Sequence, residues 1–341
     1  MRKLQNTLYV TSPDAFLSLD GENILVRTDE SVLGRVPVHN LEGVVSFGYR
    51  SASPRLMAAC AERGVGLAFF TPHGRFLSRV SGAVSGNVLL RATQYRTADS
   101  TEKSLPLAKM FLTGKLYNSR WLLERFCRDH AVRIDENAVR QAAVYQKNAL
   151  KQIECAPDSE TLLGIEGSAA KSYFSVFNEL ILRNKDDFSF DERNRRPPLD
   201  PVNALLSFTY SLLGNEIAGA LECVGLDPAV GFFHTLRPGR KSLALDMLEE
   251  FRAPLADRFV LSLINLGTVT AKDFESKENG AVYLKDDARR NFLSAWQKRK
   301  QEEITHPLLK EKIAWGLVPH AQAMLLSRYL RGDLDAYPPF M

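Results

Sequence analysis

The stretch Gly231–Phe259, GFFHTLRPGRKSLALDMLEEFRAPLADRF, changes character within a few residues and sets the reading of the chain. His234 follows two phenylalanines in a loop. Arg237, Arg240 and Lys241 come next, around Pro238 and Gly239, and then an amphipathic pattern begins. Ala244, Leu248, Phe251, Leu255 and Phe259 recur at helical spacing and predict a buried stripe, bent or broken at Pro254. Asp246 and Glu249 lie three residues apart, so both project from one side of that helix. An imidazole and two carboxylates beside three cations suit the holding of a hard divalent ion against a phosphate. A solvated helix charge is the ordinary alternative for either acid.

Upstream of this stretch the pattern is helical as far back as about residue 105. Lys109–Asp129 carries an apolar stripe from Phe111 to Phe126, and Asn137–Glu154 reads as a further helix. Ile165, Ala169, Tyr173, Phe177 and Leu180 form another stripe, with Glu166 beside it among Gly164, Gly167, Ser168 and Ala170. Small neighbours allow another strand to approach Glu166 closely. The competing reading is a first-turn carboxylate favoured by the helix dipole. Asn184–Pro198 is a polar loop with Arg193, Arg195 and Arg196, either a phosphate-contacting arm or a solvated loop. Asp200 caps a helix that has Pro201 in its first turn and is apolar all round, hence central. Further on, Lys285–Lys312 mixes both signs of charge. It reads as a solubilising face or as a nucleic-acid track with Trp296 for stacking. His306 and His320 read as structural, and Asp335–Met341 as a tail that is flexible or docks a partner.

Residues 1–95 read differently. Thr7–Val10, Phe16–Leu19, Ile24–Arg27, Arg35–Val38, Val44–Phe47, Val65–Phe70 and Arg75–Val80 are strand-like, with Asp20–Asn23 and Thr71–Gly74 as hairpin turns. Pro37 belongs on an edge strand. One helix is expected between Ser53 and Glu62, started by Pro54 and stopped at Gly64. The fold class is therefore α+β. A small N-terminal β-rich domain (1–95), a polar linker (96–104) and a larger α-helical domain (105–341) follow from the patterning.

Composition bounds the function without naming it. The 341 residues carry a net charge of +4, which permits nucleic-acid binding without demanding it. Four scattered cysteines with no C-x-x-C pair argue against zinc or a disulfide framework and for a reducing cytoplasm. The N-terminus, with Arg2 and Lys3, shows no secretory apolar region, and no run is long enough to span a bilayer. Phosphate-binding glycine loops and the nucleophile elbow are absent from the sequence. For the set Glu166, His234, Glu249 and Asp246, oxygen-rich ligation with one imidazole favours Mg2+ or Mn2+.

Four segments in order carry a resemblance. They are E-G-x-A-A-x-x-Y-F (Glu166–Phe174), D-P-x-N-A-L-L-S-F-x-Y (Asp200–Tyr210), G-F-x-H (Gly231–His234) and S-L-x-x-D-x-x-E-x-F-R (Ser242–Arg252). Together they resemble the universal CRISPR-associated adaptation integrase, over essentially the whole chain. The resemblance implies a metal-dependent DNA endonuclease and integrase of spacer acquisition. Its divalent metal would be held by Glu166, His234 and Glu249, with Asp246 a reserve candidate. It further implies a homodimer formed through the β domain and an assembly with the small companion adaptation protein on double-stranded DNA. The reaction implied joins the 3′-OH ends of a short duplex to the CRISPR repeat by transesterification. In that setting Arg237, Arg240, Lys241, Arg193, Arg195 and Arg196 are candidate DNA contacts. A non-catalytic nucleic-acid-binding assembly protein and a small-substrate phosphohydrolase are the rival readings.

Overall fold

The computed structural model describes residues 6–80, 82 and 88–341, so Arg2 and Lys3 lie outside the described residues. The fold is α+β, a β-rich N-terminal region followed by a larger helical one. In chain order the first elements are β1 (Asn6–Val10), β2 (Phe16–Asp20), β3 (Asn23–Arg27), β4 (Val32–Pro37) and β5 (Leu41–Phe47). Then come α1 (Pro54–Arg63), β6 (Gly66–Phe70) and β7 (Phe76–Val80). Two sheets result. β1, β5 and β6 run parallel with β7 antiparallel at one side, and β2, β3 and β4 form an antiparallel meander.

The local chemistry explains these elements. Gly21, at φ +58, closes the two-residue turn between β2 and β3. Pro37 sits on β4, an edge strand, where its missing N–H costs no ladder bond. Helix α1 makes the crossover between parallel β5 and β6. Ser53 accepts from the Leu56 N–H at its start, and Gly64 ends it in the left-handed region at φ 67.

The helical elements are α2 (Val88–Ala98), α3 (Thr101–His130), α4 (Glu136–Cys155), α5 (Ser159–Ser175), α6 (Pro201–Cys223), α7 (Ser242–Phe251) and α8 (Arg258–Asn265). They are followed by strands β8 (Phe274–Ser276) and β9 (Val282–Leu284) and by α9 (Asp286–Gln301). β10 (Glu303–Thr305), β11 (Lys312–Ala314) and α10 (Val318–Leu330) complete the chain. The 30-residue α3 is the pillar of the helical part, packing on α4, α5 and α7. Asp200 caps α6 by accepting from the Asn203 N–H, and Leu205, Leu213 and Ile217 of α6 are fully buried. Among the described residues no helix is long and apolar enough to cross a membrane.

The chain clusters into two compact units that cut across the division expected from patterning. One holds Met1–Gly86, Leu284–Ile304 and Lys312–Val318; the other holds Asn87–Tyr283, Thr305–Glu311 and Pro319–Met341. The polar stretch 96–104 is a helix–helix junction between α2 and α3, its polarity serving a turn at Asp99-Ser100. Helix α9 belongs to the β-rich unit. Its Trp296 and Arg289 are buried, with Arg289 donating to the Pro72 carbonyl and lying 5.4 Å over the Phe47 ring. Those side chains are core and not a nucleic-acid track.

The tail is tied into the helical unit at Tyr337 and Phe340. Glu250 Oε1 accepts from the Tyr337 hydroxyl at 2.6 Å, and Oε2 accepts from the Phe340 N–H at 2.7 Å. Asn118 Nδ2 donates to the carbonyls of Glu250 (2.9 Å) and Phe340 (2.7 Å). Buried Gln322 joins this clasp through Glu250, Tyr337 and Pro338, and His306 is held by Gln322 in turn.

Candidate metal centre

The loop before α7 is built around Asp246, which is fully buried. Its Oδ2 accepts from the N–H groups of Phe232 (2.6 Å) and Phe233 (3.0 Å). Its Oδ1 accepts from the His234 N–H (2.8 Å) and lies 2.7 Å from His234 Nδ1. Such a wrap requires Gly231, where an added Cβ would sit 2.6 Å from Asp246 Oδ2 and 2.8 Å from the Ser242 backbone. A carboxylate facing Nδ1 fixes the proton there, so the lone pair of His234 is on Nε2. Asp246 therefore orients the imidazole, with both of its oxygens already committed. That role, one step back from a metal on His234, is compatible with its standing as a reserve candidate.

Nε2 of His234 faces Glu249 at 4.0 Å from Oε1. Glu249, at the third turn of α7, keeps 4% side-chain exposure, whereas His234 keeps 17% and Glu166 keeps 20%. The site thus has a buried floor and a face open to solvent. Arg252 lies 3.0 Å from Glu249 Oε1, and Lys115 Nζ lies 2.8 Å from Oε2 without the alignment of a hydrogen bond. Burial pushes the Glu249 carboxyl up, but Arg252 and Lys115 outweigh it and leave the pKa at about 2. Lys115 also pairs with Glu166. Glu166 is the eighth residue of α5, whose start at Ser159 is capped by Asp158. The first-turn dipole reading of Glu166 thereby falls away.

Beneath the site a second layer holds the backbone in place. Residues Arg252–Asp257 form a π-helical segment between α7 and α8, around Pro254, which has no N–H to give. Asp257 accepts from the hydroxyls of Tyr173 (2.9 Å) and Tyr210 (2.5 Å). Burial, joined by the Asp257 charge, raises both phenols well above their ordinary value. Arg252 and Arg193 lie 5.0 and 5.4 Å over the Tyr210 ring. Arg193 also donates to Asn203 Oδ1 at 2.5 Å and Ser207 Oγ at 3.0 Å. Its guanidinium staples the 184–198 loop to α6, which corrects its assignment as a phosphate contact. Arg195, Arg196 and Arg237 are exposed, and Arg240 and Lys241 are half-buried. The Arg237–Arg240 turn is closed by an Arg240 N–H to Arg237 carbonyl bond, with Gly239 at φ +74.

Sequence patterning missed Lys115 and Arg252. A signal existed for Lys115, which shares a helical face with Ala108, Phe111, Leu112 and Leu122, all buried. A lysine in such a stripe calls for an acidic partner on a facing helix.

Among the described residues no group of three or more His, Cys, Asp and Glu side chains stands ready to hold a metal ion. The donor chemistry nevertheless fits one. Two carboxylates meet at a cation, the Lys115 ammonium, beside an imidazole nitrogen with a free lone pair. The buried Glu249 Oε2 has no aligned hydrogen-bond donor.

Comparison with known proteins places these features. The profile of CRISPR associated protein Cas1 matches residues 8–298. CRISPR-associated endonuclease Cas1 1 of Chlorobaculum tepidum is 52% identical over 341 residues, covering 100% of this chain and 99% of the relative. A casposase bound to integration product shares the fold at a TM-score of 0.84 and 23% identity, covering 98% of this chain and 93% of its own. A Cas6-RT-Cas1–Cas2 complex matches at a TM-score of 0.84 and 21% identity, over 100% of this chain and 36% of that one.

Proposed function

Since the chain belongs to the CRISPR associated protein Cas1 family, we propose that it is a metal-dependent DNA endonuclease and integrase of spacer acquisition. The observation that carries this reading is the meeting of Glu166 and Glu249 on one ammonium, with His234 Nε2 facing Glu249. Glu166, His234 and Glu249 are the residues that would hold Mg2+ or Mn2+. When bound, such an ion supplies Lewis-acid polarisation of the scissile phosphate and favours the ionised hydroxyl.

The chain's own part is to position and neutralise. The incoming 3′-hydroxyl loses its proton and forms the new P–O bond, while the 3′-oxygen of the repeat strand leaves and takes up a proton. One phosphodiester is exchanged for another, so no protein nucleophile is consumed. Asp246 keeps Nδ1 protonated and the Nε2 lone pair available, so His234 can serve as a ligand through Nε2. Arg252, held against Glu249, keeps that carboxylate ionised at neutral pH.

Double-stranded DNA is the substrate on this reading, and the companion is the small adaptation protein. The casposase with its integration product and the Cas1–Cas2 assembly support both. A homodimer through the β-rich unit completes the proposal. The discriminating experiment is strand transfer of a short duplex into a CRISPR repeat with and without Mg2+ or Mn2+. Metal-dependent joining is expected; DNA binding with no joining under any metal favours the assembly-protein alternative.

The exposed arginines separate from the buried one in a salt titration. Arg237→Ala is expected to weaken DNA binding and reduce the slope of log K against log salt by about 1. Arg193→Ala should leave that slope unchanged and lower the melting temperature, because its partners are Asn203, Ser207 and Tyr210. A slope change for Arg193→Ala with no loss of stability would place it back at the DNA.

A further inference from the structure

Lys115 lies on the buried face of α3, and its side chain keeps 9% exposure. An ammonium in that position needs anionic partners, and it has two, Glu166 and Glu249. These are the carboxylates to which the proposed function gives the divalent ion. An ion placed between them would stand where the ammonium stands, and two cations at that spacing repel strongly. Beside Lys115 is a cavity of about 10 Å3, lined also by Ser119, Tyr173, Arg252 and Asp257. That volume takes roughly one water-sized group, the size of an ammonium head. Ser119 is one helical turn beyond Lys115 on the same face and offers a hydroxyl acceptor, and Asp257, already bonded to Tyr173 and Tyr210, keeps a second lone pair on each carboxylate oxygen. Arg252 is engaged by Glu249 at 3.0 Å.

We propose that Lys115 is a built-in surrogate cation. Its ammonium neutralises Glu166 and Glu249 until a divalent ion binds, and then moves into the Ser119–Asp257 cavity. The inference rests on the metal-site reading above and adds a residue to it. Lys115 is a positioning residue: it keeps two carboxylates from repelling each other and sets the threshold that a metal must pass. The side chain is on α3, and Asp257 of the cavity ends the π-helical segment before α8.

The test is isothermal titration calorimetry of the full chain with Mn2+ alone, in three variants. Lys115→Met removes the competitor, and Mn2+ should bind about tenfold more tightly or better. Ser119→Val fills the cavity and denies the ammonium its place, so Mn2+ should bind several-fold more weakly, about three- to tenfold. Lys115→Arg keeps the charge on a head too large for the cavity and should also weaken binding. It serves as the reading if Lys115→Met does not fold. Unchanged affinity in Ser119→Val and Lys115→Arg, or equal or weaker affinity in Lys115→Met, overturns the proposal. Glu166→Gln is the control for the reading beneath it. If Mn2+ affinity is indifferent to Glu166, the metal site itself fails and the surrogate role fails with it; if affinity depends on Glu166 but not on Lys115, the surrogate role alone fails.

Discussion

Glu166→Gln and His234→Ala should each abolish integration, by about 1,000-fold or more, while the purified proteins keep their far-ultraviolet spectrum and still melt in one cooperative transition. The size follows from the loss of a ligand to an ion that contributes several kcal/mol of charge stabilisation, each ~1.4 kcal/mol being tenfold in rate. Retention of the fold follows from position. Both side chains lie on the open face of the site, and neither carries the packing of α5 or α7. Asp246→Asn is expected to behave differently. An amide there would point an N–H₂ group at donors that now meet carboxylate oxygens, at Phe232, Phe233 and His234. Metal affinity should fall about 10- to 100-fold, as for other partners that orient a ligating imidazole, and stability should fall with it. Integration by gel assay and melting by calorimetry separate the two classes. Normal integration by a folded Glu166→Gln protein would remove Glu166 from the site.

The C-terminal clasp should give the largest stability effect in the helical unit. Glu250→Ala leaves the Tyr337 hydroxyl and the Phe340 N–H without their acceptor and takes one of three acceptors from Gln322 Nε2, at a cost of about 3–5 kcal/mol. The effect reaches the site through two neighbours in sequence. Glu250 follows Glu249 on α7, and Gly114 precedes Lys115 on α3. Gly114 is packed so closely that an added Cβ would lie 3.1 Å from both Glu250 Cγ and Pro339 Cβ. Removal of Tyr337–Met341 should therefore lower integration as well as stability. The clasp also has a pH signature. Burial raises the Glu250 pKa to about 8 despite the donors from Phe340, Tyr337 and Gln322, which favour the ionised form. With the folded value above the ordinary 4.5, its contribution is complete below about pH 4.5 and declines as pH rises through 8. Denaturant titrations of wild type and Glu250→Gln should diverge across that window, wild type losing up to about 1.4 kcal/mol per pH unit relative to the variant. Parallel profiles would mean that Glu250 is ionised throughout.

How far the sequence could be read is clearest residue by residue. The Asp20–Asn23 turn, the Asp200-Pro201 cap and the stripe from Ala244 to Phe259 are local patterns, and local patterns survive folding. His234, Glu249 and Glu166 stand in motifs of fixed order, and the fold brings Glu166 and Glu249 onto one lysine with His234 facing Glu249. Lys115 was not legible, because its meaning depends on which helices face α3, and no spacing along one helix reports that. Arg193 misled for a related reason. An arginine in a polar loop looks solvated until Tyr210 and Asn203 are brought beneath it by α6. The charged run of α9 misled in the same way, its Arg289 and Trp296 turning inward onto the β-rich unit. The tail from Tyr337 onward shows only prolines and aromatics, with nothing in its sequence to say that Glu250 waits for it.

On the proposed function, Glu166, His234 and Glu249 bind one divalent ion. The direct measurement is an anomalous difference map from crystals grown with Mn2+. One peak is expected within bonding distance of His234 Nε2 and of carboxylate oxygens from both Glu166 and Glu249, with Asp246 still on His234 Nδ1. A map with no peak there, or a peak whose ligands leave out His234, would contradict it.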